Sequence, residues 1–436
     1  MKVKSPVPKA KGVDNTMALI NEGFEFLRTR RQQLESDIFE TRLLGKKTVC
    51  MGGAEAAEIF YDEEKFYRKN AVPKVLKKSL LGNGVHGMDG SAHKHRKQMF
   101  LSMMTPERLE AMKDIALEEL DAKAQGWEKQ QEVVLFDEML EVLARSGCRW
   151  AGVPLKEDEV KQRTEEMARM VDSFGGSLDR LKEGKQARES QEKWLKGIIK
   201  DARAGRIEAP PYTPLYIIAN HRDQNGKLLD AQTAGVELNN TIRPLLATAY
   251  FLVFGAMAMH EHPETVGKLR EDENDYSHKF AQETRRFYPF APAMAARVKK
   301  NFTWSGYDFK KDMLVVLDFF GTNRHPDDWE APDEFRPERF EDWNGSPFSF
   351  IPQGGGDHYM GHRCAGEWTT VMVMRAFFRY FVRHLTYTVP KQDLSYSLSR
   401  MPTLPNSGFK IRHVRRVKFD VAEEQNVEQS QTVVKS

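Results

Sequence analysis

Two short stretches carry side chains whose types and spacing suit chemistry. In the first, Cys364 follows the run PQGGGDHYMGHR and precedes Ala365, Gly366 and an apolar helical pattern over about 367–384. A cysteine at a helix N-terminus gains thiolate character from the exposed N–H groups and the helix dipole. His362 and Arg363 add positive charge beside it, and Gly354–Gly356 forms a loop whose bare backbone can press against a flat group. The set points to an anionic sulfur ligand for a metal; a buried structural cysteine ahead of a helix is the plainer alternative. In the second stretch, NNTIRPLLATAYFLVFGAMAMHE, Arg243 and Pro244 interrupt a long apolar helical run. Pro244 has no N–H to give the Asn240 carbonyl, so the helix must kink or open there. A buried guanidinium is costly without an anion, and arginine grips a carboxylate through two parallel hydrogen bonds as lysine cannot. Asn239 and Asn240 make the preceding turn polar, and Ala247 leaves space one turn on. Glu237 is an internal candidate partner, but it lies six residues away and off the same helical face. A carboxylate from outside the chain is the expected partner.

Elements must hold these groups in place. Asp230 is suited to cap a helix from about Ala231 to His262, about 48 Å long at 1.5 Å per residue. The region from about Thr105 to Arg203 is mostly helical by its spacing of charges. HPETVGKLREDEN and YSHKFAQETRRFYPF give two further helices, while GKKTVCMGG, AARVKKNFTW and DMLVVLDFFG read as short strands. AGRIEAPPYTPLY is a proline-rich loop suited to cover a site. Glu283 and Arg286, three apart on one helical face, are spaced to pair, structurally or as an ordinary surface pair. The fold class is mainly α with a minor β region. Residues 1–14 are expected to be an N-terminal extension, 15–418 a single domain, and 419–436 a polar, disordered tail.

Composition removes several functions. With 66 Lys and Arg against 63 Asp and Glu, the net charge of +3 offers no footprint for a nucleic acid. Cys50, Cys148 and Cys364 are too few and too scattered for a disulfide framework, which implies a reducing, cytoplasmic setting. No apolar segment follows MKVKSPVPKAKG, and the apolar run 245–259 is short for a bilayer, so no membrane span is expected. Gly52–Gly53 lacks the rest of a dinucleotide motif. His93 with His95, and His260 with His262, are two apart and do not share a helical face as a metal pair would. EDENDY has no glycine for a calcium loop.

Four pieces, in order, resemble the haem-thiolate cytochromes P450. The run 231–262 is similar to their long central helix, Glu283-Thr284-Arg285-Arg286 to their ExxR helix, Phe335-Arg336-Pro337-Glu338-Arg339-Phe340 to their meander, and Cys364-Ala365-Gly366 to their ligand motif. The likeness covers about residues 15–417. It implies haem b between the central helix and the cysteine loop, Cys364 as axial iron ligand, and a structural network of Glu283, Arg286 and Arg339. It also implies haem-propionate partners among Tyr61, Arg68, His93, Lys97, Arg297 and His362.

The chain departs from that pattern where it matters. Ordinary members place an acid and an alcohol over the haem to relay protons; here Arg243 and Pro244 stand in their place. With the long QGGGDHYMGHRCAGE loop and Gly87-Met88-Asp89-Gly90-Ser91-Ala92-His93, this resembles the bacterial fatty-acid peroxygenases. The resemblance implies hydrogen peroxide as co-substrate, a long-chain fatty acid as substrate, and no obligatory redox partner. Arg243 would hold the substrate carboxylate, which acts as general acid–base. Oxidation is then expected at Cα or Cβ, by hydroxylation or by decarboxylation to a terminal alkene. His86 occupies the position where this branch carries histidine or glutamine; the plainer reading is a loop histidine packed on a haem edge. A redox-partner-dependent monooxygenase and a haem-bound fatty-acid sensor or carrier are the competing expectations.

Overall fold

The computed structural model describes residues 7–74, 77–82, 84–175 and 177–417. The expected tail at 419–436 lies outside them. The elements that place the site are β1 (Ile38–Leu43), β2 (Lys46–Met51), β3 (Phe66–Tyr67), α1 (Gly90–Ser102), α2 (Leu135–Ala151) and α3 (Leu178–Arg203). After them come α4 (Ala231–Leu246), α5 (Thr248–Glu261), α6 (Tyr276–Phe287), β4 (Ala293–Val298), β5 (Leu314–Asp318) and α7 (Glu367–His384). The fold is mainly α with a minor β region.

Helix packing builds the main core. α2 buries Leu135, Met139, Val142 and Leu143 on one face, as its spacing requires, and stops at Gly152 in a left-handed conformation. It joins Leu195 of α3, Phe251 and Phe254 of α5, and Phe377 and Phe378 of α7 in one cluster. Two glycines set how closely the helices approach. A Cβ on Gly235 of α4 would lie 2.9 Å from the Lys196 backbone nitrogen in α3, and one on Gly255 of α5 would lie 2.2 Å from the Phe378 ring.

The central helix is not continuous. Asp230 caps it as expected, accepting from the Gln232 and Thr233 amides at 3.0 Å each. It then divides into α4 and α5 at Ala247, whose N–H turns back three residues to the Pro244 carbonyl at 3.1 Å. Pro244 supplies no donor, so the ladder loosens and re-forms as a tight turn. The apolar stretch through 231–261 is 89% buried over its most hydropathic window, which makes it a core element.

A five-stranded sheet flanks the helices in the order β1-β2-β5-β4-β3. β2 and β5 run parallel with Thr48 opposite Leu314, and the other pairs are antiparallel. Part of the expected N-terminal extension belongs to this sheet: Ala10 N–H donates to the Glu40 carbonyl at 2.9 Å, and Glu40 N–H to Pro8 at 2.8 Å. The segment 204–220 also differs from a plain loop. Thr213 caps a short helix, Pro214–Asn220, accepting from Tyr216 N–H.

Candidate active site

The cysteine loop is held from below by buried ions. Glu283 receives both Arg286 Nε and Nη2 at 2.7 and 2.8 Å, and Arg339 Nε at 3.1 Å. Glu283 and Arg286 are fully buried. Arg286 and Arg339 spend their remaining donors on carbonyls of Asn323, Pro332, Glu330, Ala331 and Glu334. The network therefore ties α6 to the chain that leads into the cysteine loop.

A second buried ion set was not visible in the sequence. Glu367, at the start of α7, accepts from Arg285 Nη2 and Arg363 Nε, both at 2.5 Å. Arg285 Nε reaches Gln353 at 3.1 Å; Gln353 in turn directs Nε2 toward Cys364 Sγ at 3.9 Å and accepts the Cys364 N–H on its carbonyl at 3.2 Å. The adjacent arginines of the ExxR helix thus serve two carboxylates.

This geometry corrects two expectations. Arg363 does not acidify the thiol, because its guanidinium is engaged by Glu367. Burial, followed by the Glu367 charge, pushes the Cys364 thiol up, although Gly366 N–H faces it. Nor do Gly354–Gly356 leave their bare faces for a ligand. Cβ atoms there would meet Tyr61, Ile351 and the Pro347 carbonyl, so these glycines let the loop pack on protein.

Above, Arg243 is 4% exposed. Its Nη1 donates to the Leu80 carbonyl at 3.2 Å and its Nη2 to Asn240 Oδ1 at 3.3 Å, while Nε is buried without a partner. Burial brings its pKa down to about 10. Glu192, the acid whose charge reaches it, is engaged by Arg188 and by Gln232 at 3.0 Å. Glu237 has a different partner altogether, Arg96 Nη1 at 2.5 Å. Burial pushes the Glu237 carboxyl up, while Arg96, the Asn240 amide and the Val85 N–H oppose that shift. Asn239 turns instead to the Met170 sulfur at 3.7 Å. No carboxylate among the described residues pairs with Arg243.

Known proteins resemble this chain in sequence and in fold. A family model for cytochrome P450 matches residues 248–412. Cytochrome P450 26A1 of Danio rerio is 24% identical over 90% of this chain and 88% of that protein. Among solved structures, cytochrome P450EX alpha (CYP152N1) with myristic acid is 43% identical, with a TM-score of 0.91, over 95% of this chain and 100% of that one. A variant of cytochrome P450 OleT in complex with arachidonic acid is 39% identical, with a TM-score of 0.93, over 95% of this chain and 100% of that one. This chain belongs to the cytochromes P450, in the bacterial fatty-acid peroxygenase branch. It is a haem-thiolate oxidoreductase.

The residues of this P450 fit a haem. Arg68 is buried, lies over the Phe60 and Tyr61 rings at 4.2 and 5.3 Å, and leaves Nη1 without a partner. His93 stacks on His362 at 4.0 Å and leaves Nδ1 without a partner. Orphaned donors beside a candidate sulfur ligand are the environment that carboxylate-bearing haem requires. His362 faces Asp89 at 3.7 Å, and burial lowers the pKa of both histidines, His93 to about 3. Glu63 also lies near these two rings, a grouping that sequence spacing gave no reason to expect. Lys97 braces the cysteine loop, donating to the carbonyls of Gly361 at 2.7 Å and Arg363 at 2.5 Å. Arg297 stands apart in β4, with its donors on the Asn70 and Asp312 carbonyls. His86, in the turn Val85–Gly87, keeps an exposed face, yet surrounding protein and then the Arg243 charge hold its pKa at about 4.

Proposed function

We propose that this P450 oxidises long-chain fatty acids with hydrogen peroxide, by hydroxylation at Cα or Cβ and, as a branch, by decarboxylation to a terminal alkene. Arg243 carries the reading: a buried guanidinium with an unpartnered Nε and only neutral acceptors requires an anion. The relatives solved with myristic and arachidonic acid support a fatty carboxylate as that anion.

Haem b on Cys364 supplies the thiolate-ligated iron at which the peroxide O–O bond is cleaved and oxygen is delivered. Arg68 and the His93–His362 stack would hold its carboxylates, and Tyr61 and Lys97 shape the cysteine loop. Arg243 orients the substrate carboxylate. That carboxylate takes a proton from the peroxide and returns it to the departing oxygen, replacing the acid and alcohol that Arg243 and Pro244 have displaced. Pro244 breaks the helix after the arginine, and Ala247 leaves that face small. Pinning the head group leaves only the Cα and Cβ hydrogens within reach. Hydroxylation consumes one peroxide and releases one water; decarboxylation releases carbon dioxide and two waters. His86 is neutral at working pH and offers one donor and one acceptor, not a fixed charge. Buried Cys50 and Cys148 fit a reducing cytoplasm.

The deciding experiment supplies one saturated fatty acid and hydrogen peroxide without any reductase, with products identified by chromatography. Hydroxy acid or alkene is expected. Turnover only after a ferredoxin or flavodoxin system is added would overturn the proposal, as would binding without any oxidised product.

A further inference from the structure

The tip of the β1–β2 hairpin meets the short helix Thr16–Glu22. Leu44 N–H donates to Thr16 Oγ1 at 2.6 Å and Gly45 N–H to Asp14 Oδ2 at 2.8 Å, so the two are docked. The helix packs Ala18 and Leu19 inward against the Phe26 and Phe39 cluster. Its other face is apolar and open: Met17 is 64% exposed and Ile20 54%, with Val13 at 89% and Leu44 at 64% beside them.

Leu44 is the least expected of these. Leu43 pairs with Lys46, so Leu44 and Gly45 form a two-residue turn, both with positive φ, at 50° and 72°. Asparagine, aspartate or glycine favours that conformation, and leucine does not. A large apolar side chain thus sits in a disfavoured backbone geometry with its surface in water. Folding alone gives no reason for that choice.

The rim is cationic. Lys9, Lys11, Arg42, Lys46 and Lys47 are all exposed around the patch. Glu40 pairs with Lys9 and Lys47, and Asp14 accepts from Thr16 and Gly45, so Lys11, Arg42 and Lys46 are the rim cations that no ion pair among the described residues engages. We propose that this apolar face, ringed by lysine and arginine, docks the enzyme peripherally on an anionic lipid surface. Apolar side chains enter the headgroup boundary while the cations meet lipid phosphates. A second copy fits the patch poorly, because a two-fold contact sets one cationic rim against another. The inference is independent of the fatty-acid reading.

The test uses the haem-loaded full chain and flotation with vesicles of equal parts phosphatidylglycerol and phosphatidylcholine, or of phosphatidylcholine alone. Binding is expected only to the anionic vesicles and should weaken with salt. Leu44→Asn suits the turn better than leucine, so it keeps the fold while losing insertion; the bound fraction should fall several-fold with Tm unchanged or raised. Lys46→Glu should weaken binding by at least about fivefold. No flotation of the natural chain, or equal flotation of Leu44→Asn, overturns the proposal. So does a concentration-dependent dimer that Leu44→Asn dissolves, which would assign the face to a second copy.

Discussion

Asn240 accepts from Arg243 Nη2 on Oδ1 at 3.3 Å while its Nδ2 donates to Glu237 Oε2 at 3.0 Å. The amide can present oxygen to the guanidinium because Glu237 claims its nitrogen. Arg96 holds Glu237 from the other side at 2.5 Å. Three buried polar side chains in line, Arg96, Glu237 and Asn240, thus aim Arg243. Asn240→Ala is expected to raise KM for a fatty acid about tenfold, the loss of one charge-assisted hydrogen bond worth about 1.5 kcal/mol. kcat should change less, and haem content should not change. Steady-state kinetics with matched haem quantification check this; an unchanged KM sinks the aiming role.

Arg243→Ala should remove fatty-acid oxidation, by about a hundredfold or more, because it deletes both the anchor and the means of placing the general acid–base. Haem incorporation should persist. A short carboxylic acid added to this variant should restore some peroxide-driven oxidation of a neutral substrate, since the acid then supplies the proton transfer. Near-normal fatty-acid turnover by Arg243→Ala would contradict the anchoring model.

His86→Gln tests the product branch. Its surroundings and Arg243 lower the imidazole pKa to about 4, so near neutral pH it is uncharged, and glutamine preserves a donor and an acceptor but cannot take a proton. The alkene share should drop relative to hydroxy acid while total turnover is retained. An unchanged product ratio, read by chromatography, would leave His86 as a packing residue.

Glu283→Ala strands Arg286 and Arg339 in the interior. Removing one partner of a buried pair costs about 3–5 kcal/mol. The variant should unfold at lower denaturant and lose the ordered cysteine loop, seen as poor haem retention. Glu40→Ala, at a half-buried surface pair with Lys47 (2.6 Å), should shift stability by less than about 1 kcal/mol.

Stability should also carry a pH signature from Asp37 and His325, bonded at 3.0 Å. Burial pushes the Asp37 carboxyl up, but hydrogen bonds from His325 and Arg31 outweigh it and hold the value at about 2, below the usual 3.8. The Asp37 hydrogen bond raises His325 above its ordinary 6.5. The carboxylate contribution is present above its unfolded value and lost as pH falls toward 2. The imidazolium contribution is complete below 6.5 and lost as pH rises through the raised value. The urea midpoint gap between the natural chain and His325→Ala should therefore shrink from about pH 5 to about pH 8.

The candidate site groups were legible because they are locally encoded. Cys364 sits in a short motif, Arg243 and Pro244 break an apolar period, and Glu283 and Arg286 lie one helical turn apart. Each is a relation between near neighbours, which spacing records. The helix break at Pro244 was also readable, though its site at Ala247 was not.

What remained hidden was which cation meets which carboxylate. Arg363 next to Cys364 read as a charge for the thiol, but Glu367 takes it; that the Lys97 ammonium meets two loop carbonyls was equally hidden. Arg96 and Glu237 are 141 residues apart, and no local pattern pairs them. Sequence determined which groups exist and which helix turn carries each. Only the tertiary structure decided their partners, because competition for a buried charge is settled by the elements packed around it.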